Sequence, residues 1–158
     1  MNEQEKNYFM QIAINEAKKA KQKNEVPIGA IVVKNGKIIS KAFNNREKKQ
    51  NAINHAEVIA ISRACKKLKS WRLSNCSLFV TLEPCLMCFG AILNSRIENV
   101  YFGAYDKSNS SITAYPELLS SSKLNHKTNI EGGILKDKCS QILSEFFKNK
   151  RKNFVEHN

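Results

Sequence analysis

Between residues 3 and 22, Phe9, Ile12, Ala13, Ala17 and Ala20 fall on one face of a 3.6-residue period, with lysines opposite. That spacing predicts an amphipathic helix. The pattern then changes. IGAIVVK (28–34) and KIISKAF (37–43) flank Asn35-Gly36, a dipeptide suited to a type I′ turn, and predict a β-hairpin. Residues 44–54 are polar and read as a loop. Helical spacing returns over 55–69 through Val58, Ile61, Ala64, Cys65 and Leu68. CSLFVTL (76–82) predicts a strand, 85–95 a helix and NVYFGA (99–104) another strand. Residues 105–126 are rich in Ser and Asn and carry no clear period. A short strand near 127–135 and a helix from Asp137 to about Lys150 close the chain.

The helix–strand–helix–strand order over 55–104 predicts two parallel strands joined by a right-handed crossover. With the hairpin and the last strand, the chain reads as α/β: a mixed sheet of about five strands with helices on both faces, a three-layer α/β/α sandwich. The 158 residues contain no internal repeat or long linker, and one domain spanning 1–158 is expected. No apolar run approaches the roughly 18 residues of a membrane span. MNEQEKNYFM lacks the layout of a signal peptide. The expectation is a cytoplasmic protein with no membrane contact, whose thiols stay reduced.

Charge adds a partner class. A net charge of +12 favours a polyanion, nucleic acid being the usual one. With 21 Lys, 5 Arg and 18 Asn, a merely solvated basic surface is the competing reading. The placement of the charge matters more than its sum.

Candidate chemistry centres on EPCLMC (83–88). Cys85 and Cys88 form a CxxC pair that suits a redox couple, small core filler or part of a metal site. Pro84 suits the start of a helix, Cys85 and Cys88 would share one face of it, and Leu86 and Met87 are expected in the core. A helix N-terminus also favours thiolates. His55-Ala56-Glu57 opens the preceding helix and changes the balance. His55 with Cys85 and Cys88 gives one nitrogen and two sulfur donors, a set that suits zinc with one position left open for catalysis. Two thiolates and a neutral imidazole cancel the charge of Zn²⁺, so its water is less acidified than at a three-histidine site. A nearby carboxylate, Glu57, would compensate as the base. Cys65, Cys76 and Cys139 have no evident role.

HAE, followed after 26 residues by PCxxC, resembles the zinc-dependent nucleoside and nucleobase deaminases. VPIGAIVV, HAEVIAI, TLEPCLMCFGAILNSRI, VYFGA, LNH, GIL and FFKNKRK are similar, in order, to the bacterial tRNA-specific adenosine deaminases from about Val26 to Arg151. The resemblance implies a cytidine deaminase-like fold, a homodimer, and hydrolysis of adenosine to inosine at the wobble position of tRNA anticodons. It makes His55, Cys85 and Cys88 ligands of one Zn²⁺ per chain, and Glu57 the proton shuttle. Val26, Pro27 and Leu82 would wall the pocket and Asn44 would hold the flipped base. Asp106 would lie near the ribose-phosphate backbone, where a 2′-OH is sensed, and Asn125-His126 near the site. Phe146, Phe147 and Arg151, on a basic C-terminal helix (about 137–152), would meet the anticodon stem-loop. The chain departs from the family after Asp106, with KSNSSITAYPELL in place of a Gly/Ala-rich turn, and at Phe89, where a small residue is usual. A deaminase of free bases would need no basic tail, and a zinc-stabilised RNA-binding subunit would need no Glu57.

Overall fold

The computed structural model describes residues 1–157. Asn2 opens the first helix: its side chain accepts the Glu5 amide, and the Glu5 carboxylate accepts the Asn2 amide, both at 2.9 Å. This reciprocal cap satisfies two otherwise unpaired donors. Helix α1 (Glu3–Gln22) follows and buries Phe9, Met10, Ala13, Ile14, Ala17 and Ala20. Strands β1 (Gly29–Lys34) and β2 (Lys37–Phe43) pair antiparallel around Asn35 and Gly36, whose φ values of 50° and 72° are those a type I′ turn requires.

The polar segment 44–54 is more ordered than its composition suggests. It contains a one-turn helix, α2 (Arg46–Lys49), ended by Gln50 in the left-handed conformation. In α3 (Ala56–Leu68) the buried face is Ala56, Glu57, Ala60, Ile61 and Ala64, not the line through Val58, Cys65 and Leu68. Alanines at four-residue steps let the helix axis lie close to the sheet, which turns the larger side chains onto a half-covered flank.

Strands β3 (Cys76–Leu82) and β4 (Asn99–Ala104) are parallel, with α4 (Leu86–Asn94) crossing between them. The weakly patterned 105–126 holds a 3₁₀ turn (Ile112–Ala114) and α5 (Pro116–Leu119). The expected last strand shrinks to β5 (Asn129–Glu131), and α6 (Lys136–His157) runs longer than its sequence pattern indicates. The sheet order is β2-β1-β3-β4-β5, antiparallel on the hairpin side and parallel on the other. One core layer packs Ala60, Ile61 and Ala64 of α3 and Ile92 of α4 on Val32, Leu78 and Val80. The other packs Phe9, Met10 and Ile14 of α1, and Cys139 of α6, on Ile31, Val33 and Phe79.

Pairing register fixes what meets at one end of the sheet. Gly29 lies opposite Phe43, Ala30 opposite Val80, and Leu82 opposite Ala104. The segments before β1 and after β2, β3 and β4 therefore emerge together at the carboxyl ends of the parallel strands, where open α/β sheets bind ligands.

Gly29 anchors that end. A Cβ there would fall on backbone atoms of Ala13 and Ala17, which cannot give way. Gly29→Ala is expected to destabilise the fold by at least about 2 kcal/mol, read as a lower urea midpoint with unchanged slope.

Candidate metal centre

His55 and Cys85 are each the residue just before a helix. Both have extended backbone (φ/ψ −74°/151° and −77°/173°), and neither side chain caps its helix. Each side chain is thereby free to turn toward the other. Pro84 lies two residues before α4, not in its first position, and Cys88 sits buried in the first turn. His55 Nδ1 is 3.7 Å from Cys85 Sγ and 3.6 Å from Cys88 Sγ. All three donor atoms lie within 4.8 Å of one another. Tetrahedral zinc with ordinary bond lengths requires N···S and S···S edges of about 3.6–3.8 Å. The residues present fit the metal, and three donors leave a fourth position open.

Glu57, 4% exposed, stands behind this triangle. Burial pushes its carboxyl above the usual range, against a hydrogen bond from Cys88 and the attraction of His55. Cys85 is held down to about 4, first by the hydrogen bond from Cys88 and then by His55. Cys88 is pushed up by its bond to Cys85, by burial and by Glu57. The bond to Cys85 raises His55. One thiolate, one thiol and a buried carboxyl group thus crowd a small volume, an arrangement that calls for a cation.

Other segments that end at this edge of the sheet carry the remaining candidate residues. The Asn44 Nδ2 donates to the Val26 carbonyl (3.2 Å) and its Oδ1 accepts the Arg46 amide (3.3 Å), fixing Asn44 beside Val26 and Pro27. Leu82 ends β3, immediately before the CxxC segment. Asp106 follows β4; its amide donates to Glu83 Oε2 (3.2 Å), while its carboxylate accepts the amide and hydroxyl of Ser108 (both 2.9 Å). Helix α6 runs alongside α1, from Lys138 bonded to Gln11 up to Glu145 paired with Lys21. Its later turns, with exposed Phe147 and Arg151 and buried Phe146, pass the C-terminal end of α1 on the pocket side of the sheet.

Two expectations fail. His126 Nε2 lies 2.7 Å from the carbonyl of Ile97, in the loop entering β4. The parallel register of β4 and β5 puts the Asn125-His126 pair at the opposite end of the sheet from Cys85 and Cys88. Leu86 and Met87 are not core: they are 39% and 38% exposed, because the buried face of α4 is taken by Cys88, Phe89 and Ile92.

Two buried carboxylates escape a reading by motif. Glu83, 2% exposed, joins the CxxC segment to Asp106 by its side chain and to the Ala104 carbonyl by its amide (2.9 Å). Glu25, 1% exposed, accepts the amides of Glu47 (3.2 Å) and Lys48 (2.6 Å). The available signal was a lone acidic residue at a strand end or next to Val-Pro.

Comparison with known proteins agrees with this geometry. The MafB19-like deaminase family matches residues 3–151. The chain belongs to that deaminase family. It is 48% identical over 144 residues to the tRNA-specific adenosine deaminase of Bacillus subtilis (strain 168), covering 91% of this chain and 89% of the relative. It is 46% identical over 150 residues to that of Aquifex aeolicus (strain VF5), covering 95% and 99%. A solved structure from a study of A-to-I editing by tRNA:A34 deaminases at the wobble position of transfer RNA superposes with a TM-score of 0.81 at 34% identity, covering 86% of this chain and 99% of that one. The α/β sandwich around the mixed five-stranded sheet is the deaminase fold.

In this deaminase the donor triangle makes a direct prediction. Protein purified with zinc carries one zinc per chain by elemental analysis, and Cys85→Ala or Cys88→Ala lowers this below about 0.1. Thiol ligands must lose their protons to bind, so zinc affinity by competition titration rises with pH.

Proposed function

We propose that this protein hydrolyses adenosine to inosine at the wobble position of tRNA anticodons. The observation that carries this reading is the His55–Cys85–Cys88 triangle backed by buried Glu57, in a chain 48% identical to a tRNA-specific adenosine deaminase. A base inside a stacked loop cannot reach such a site, so the target adenosine is flipped out into the pocket. Val26, Pro27 and Leu82 wall it. Asn44 holds its edge with the amide hydrogen and lone pair not used on Val26 and Arg46.

His55, Cys85 and Cys88 would hold one zinc per chain, which when bound would supply the Lewis acidity that makes water nucleophilic near neutral pH. Glu57 moves the protons. Its carboxylate takes one from the attacking water and delivers it to the ring nitrogen beside the reacting carbon. It then carries a second to the departing amine, so that adenosine and water become inosine and ammonia. Burial favours this role, because it raises the proton affinity of the carboxyl group above that of an exposed glutamate.

The 158 residues act as one domain, in the cytoplasm. Arg151 and Phe147 contact the anticodon stem-loop from α6, and Asp106 faces the ribose-phosphate chain near the target. Exposed Leu86 and Met87, beside exposed Gly90 on α4, support a homodimer across that face. No helix among the described residues is long and apolar enough to cross a membrane.

The test is an inosine assay by mass spectrometry on a minimal anticodon stem-loop with adenosine at the wobble position. Zinc-loaded protein is expected to convert it. Glu57→Gln should keep its zinc and lose turnover by about 10³-fold or more. Retained turnover in Glu57→Gln would remove the proton shuttle, and no inosine from the loaded wild type would remove the RNA substrate.

A further inference from the structure

Outside the metal centre, the carboxylate of Glu25 is buried and has no part in the proposed chemistry. It is 1% exposed and among the described residues forms no ion pair. Burying a carboxylate is unfavourable unless hydrogen bonds replace its water. Both replacements come from the amides of Glu47 and Lys48, at 3.2 and 2.6 Å. The whole side chain is thus committed to fixing one turn of surface helix, α2.

That turn belongs to a segment tied at both ends. Asn44 is bonded to Val26 and to the Arg46 amide. At the base of the loop, Asn54 Nδ2 donates to Asn45 Oδ1 (2.9 Å) and the Asn45 amide to the Asn54 carbonyl (3.4 Å). His55, the metal-centre histidine, follows directly. A ten-residue excursion between a pocket-wall residue and a metal-centre residue is therefore clamped at its neck and braced from beneath by Glu25.

What the brace presents is positive charge. Arg46, Lys48 and Lys49 are all exposed on α2. Arg46 lies 3.8 Å from Glu47, while Lys48 and Lys49 form no ion pair among the described residues. Three like charges on one turn are unfavourable for the isolated protein and favourable only against an anion. The loop joins edge strand β2 to α3 on one face of the sheet, whereas α6 lies against α1 on the other. The basic turn and the basic tail flank the same end of the sheet from opposite sides.

We propose that the 44–54 loop is a second RNA-binding arm whose Arg46, Lys48 and Lys49 contact phosphates flanking the flipped nucleotide, with Glu25 as its positioning residue. The inference rests on the RNA substrate proposed above. The flipped base must be held with its backbone distorted, and cations on both sides grip the strand where it leaves and re-enters the loop.

The experiment measures KM, kcat and the salt dependence of binding for the anticodon stem-loop. The charge-removed triple R46A/K48A/K49A is compared with K66A/K67A/K69A, which removes the same charge at the far end of α3. The first triple is expected to raise KM about tenfold, with most of the loss in KM, and to flatten the log–log salt slope by up to about 2. The second should match wild type. Glu25→Gln keeps every cation of the arm but turns a carboxamide NH₂ donor toward a backbone N–H donor. It should flatten the salt slope in the same direction with full zinc content and a thermal midpoint within a few degrees of wild type. Equal effects of the two triples, or a wild-type KM in R46A/K48A/K49A, would overturn the proposal. A Glu25→Gln variant that folds and keeps the wild-type slope would remove the positioning role. Failure of wild type to make inosine would instead strike the substrate assignment beneath it.

Discussion

Two sulfurs, an imidazole nitrogen and a buried carboxyl group in one small volume are an electrostatic problem before they are an active site. Without a cation, the hydrogen bond from Cys88 and then His55 hold the Cys85 thiol low, and burial pushes the Glu57 carboxyl up. A dication held by the three donors lets both thiols ionise. A ligand set neutralised in this way would acidify water less, which is why the proposed mechanism gives proton transfer to Glu57. The packing makes the problem unavoidable. α3 and α4 share one core layer on the same face of the sheet, and their N-termini converge at its edge.

The backbone geometry at the two helix starts explains why a short motif carries so much chemistry. Residues in the extended conformation just before a helix aim their side chains across its end, while residues in the first turn lie along its flank. His55 and Cys85 use the first position, and Glu57 and Cys88 the second. The sequence places His55 and Glu57 together at the opening of one helix and gives them different roles. The outcome is the same separation of roles, but its cause is the change of backbone conformation at Ala56.

Legibility in the sequence followed the strength of local signals. The hairpin was clear because Asn35-Gly36 requires positive φ, and β3 because its apolar run is buried on both faces. The donor triangle was clear because its residue types are rare and chemically specific. α2 was not, since one turn of helix made by Arg46–Lys49 has no apolar period and exists through a bond from Glu25, some twenty residues away. Asn125-His126 lies remote from the pocket because a parallel β5 must begin at the bottom of the sheet, a consequence of topology that proximity to known motifs cannot reveal. Leu86 and Met87 failed for a related reason: an apolar helix with a core on one side only must expose its remaining large residues unless another surface covers them.

The divergent loop after Asp106 is compatible with unaltered chemistry because of how it is attached. The Glu83 carboxylate accepts the Asp106 amide, the Leu86 amide donates to the Ser110 carbonyl, and the Ile112 amide donates to the Pro84 carbonyl. Three bonds over residues 106–112 stitch the loop to the segment that bears Cys85. Bonds of this kind use backbone groups, or one buried acid, and are indifferent to most side chains of KSNSSIT. Sequence drift there changes the surface offered to RNA while leaving the metal donors where β3 and α4 put them. Specificity and reaction are thereby separable in this fold. The chemistry proposed here rests on a few residues at helix starts, and the proposed recognition on loops whose ends are pinned by backbone bonds.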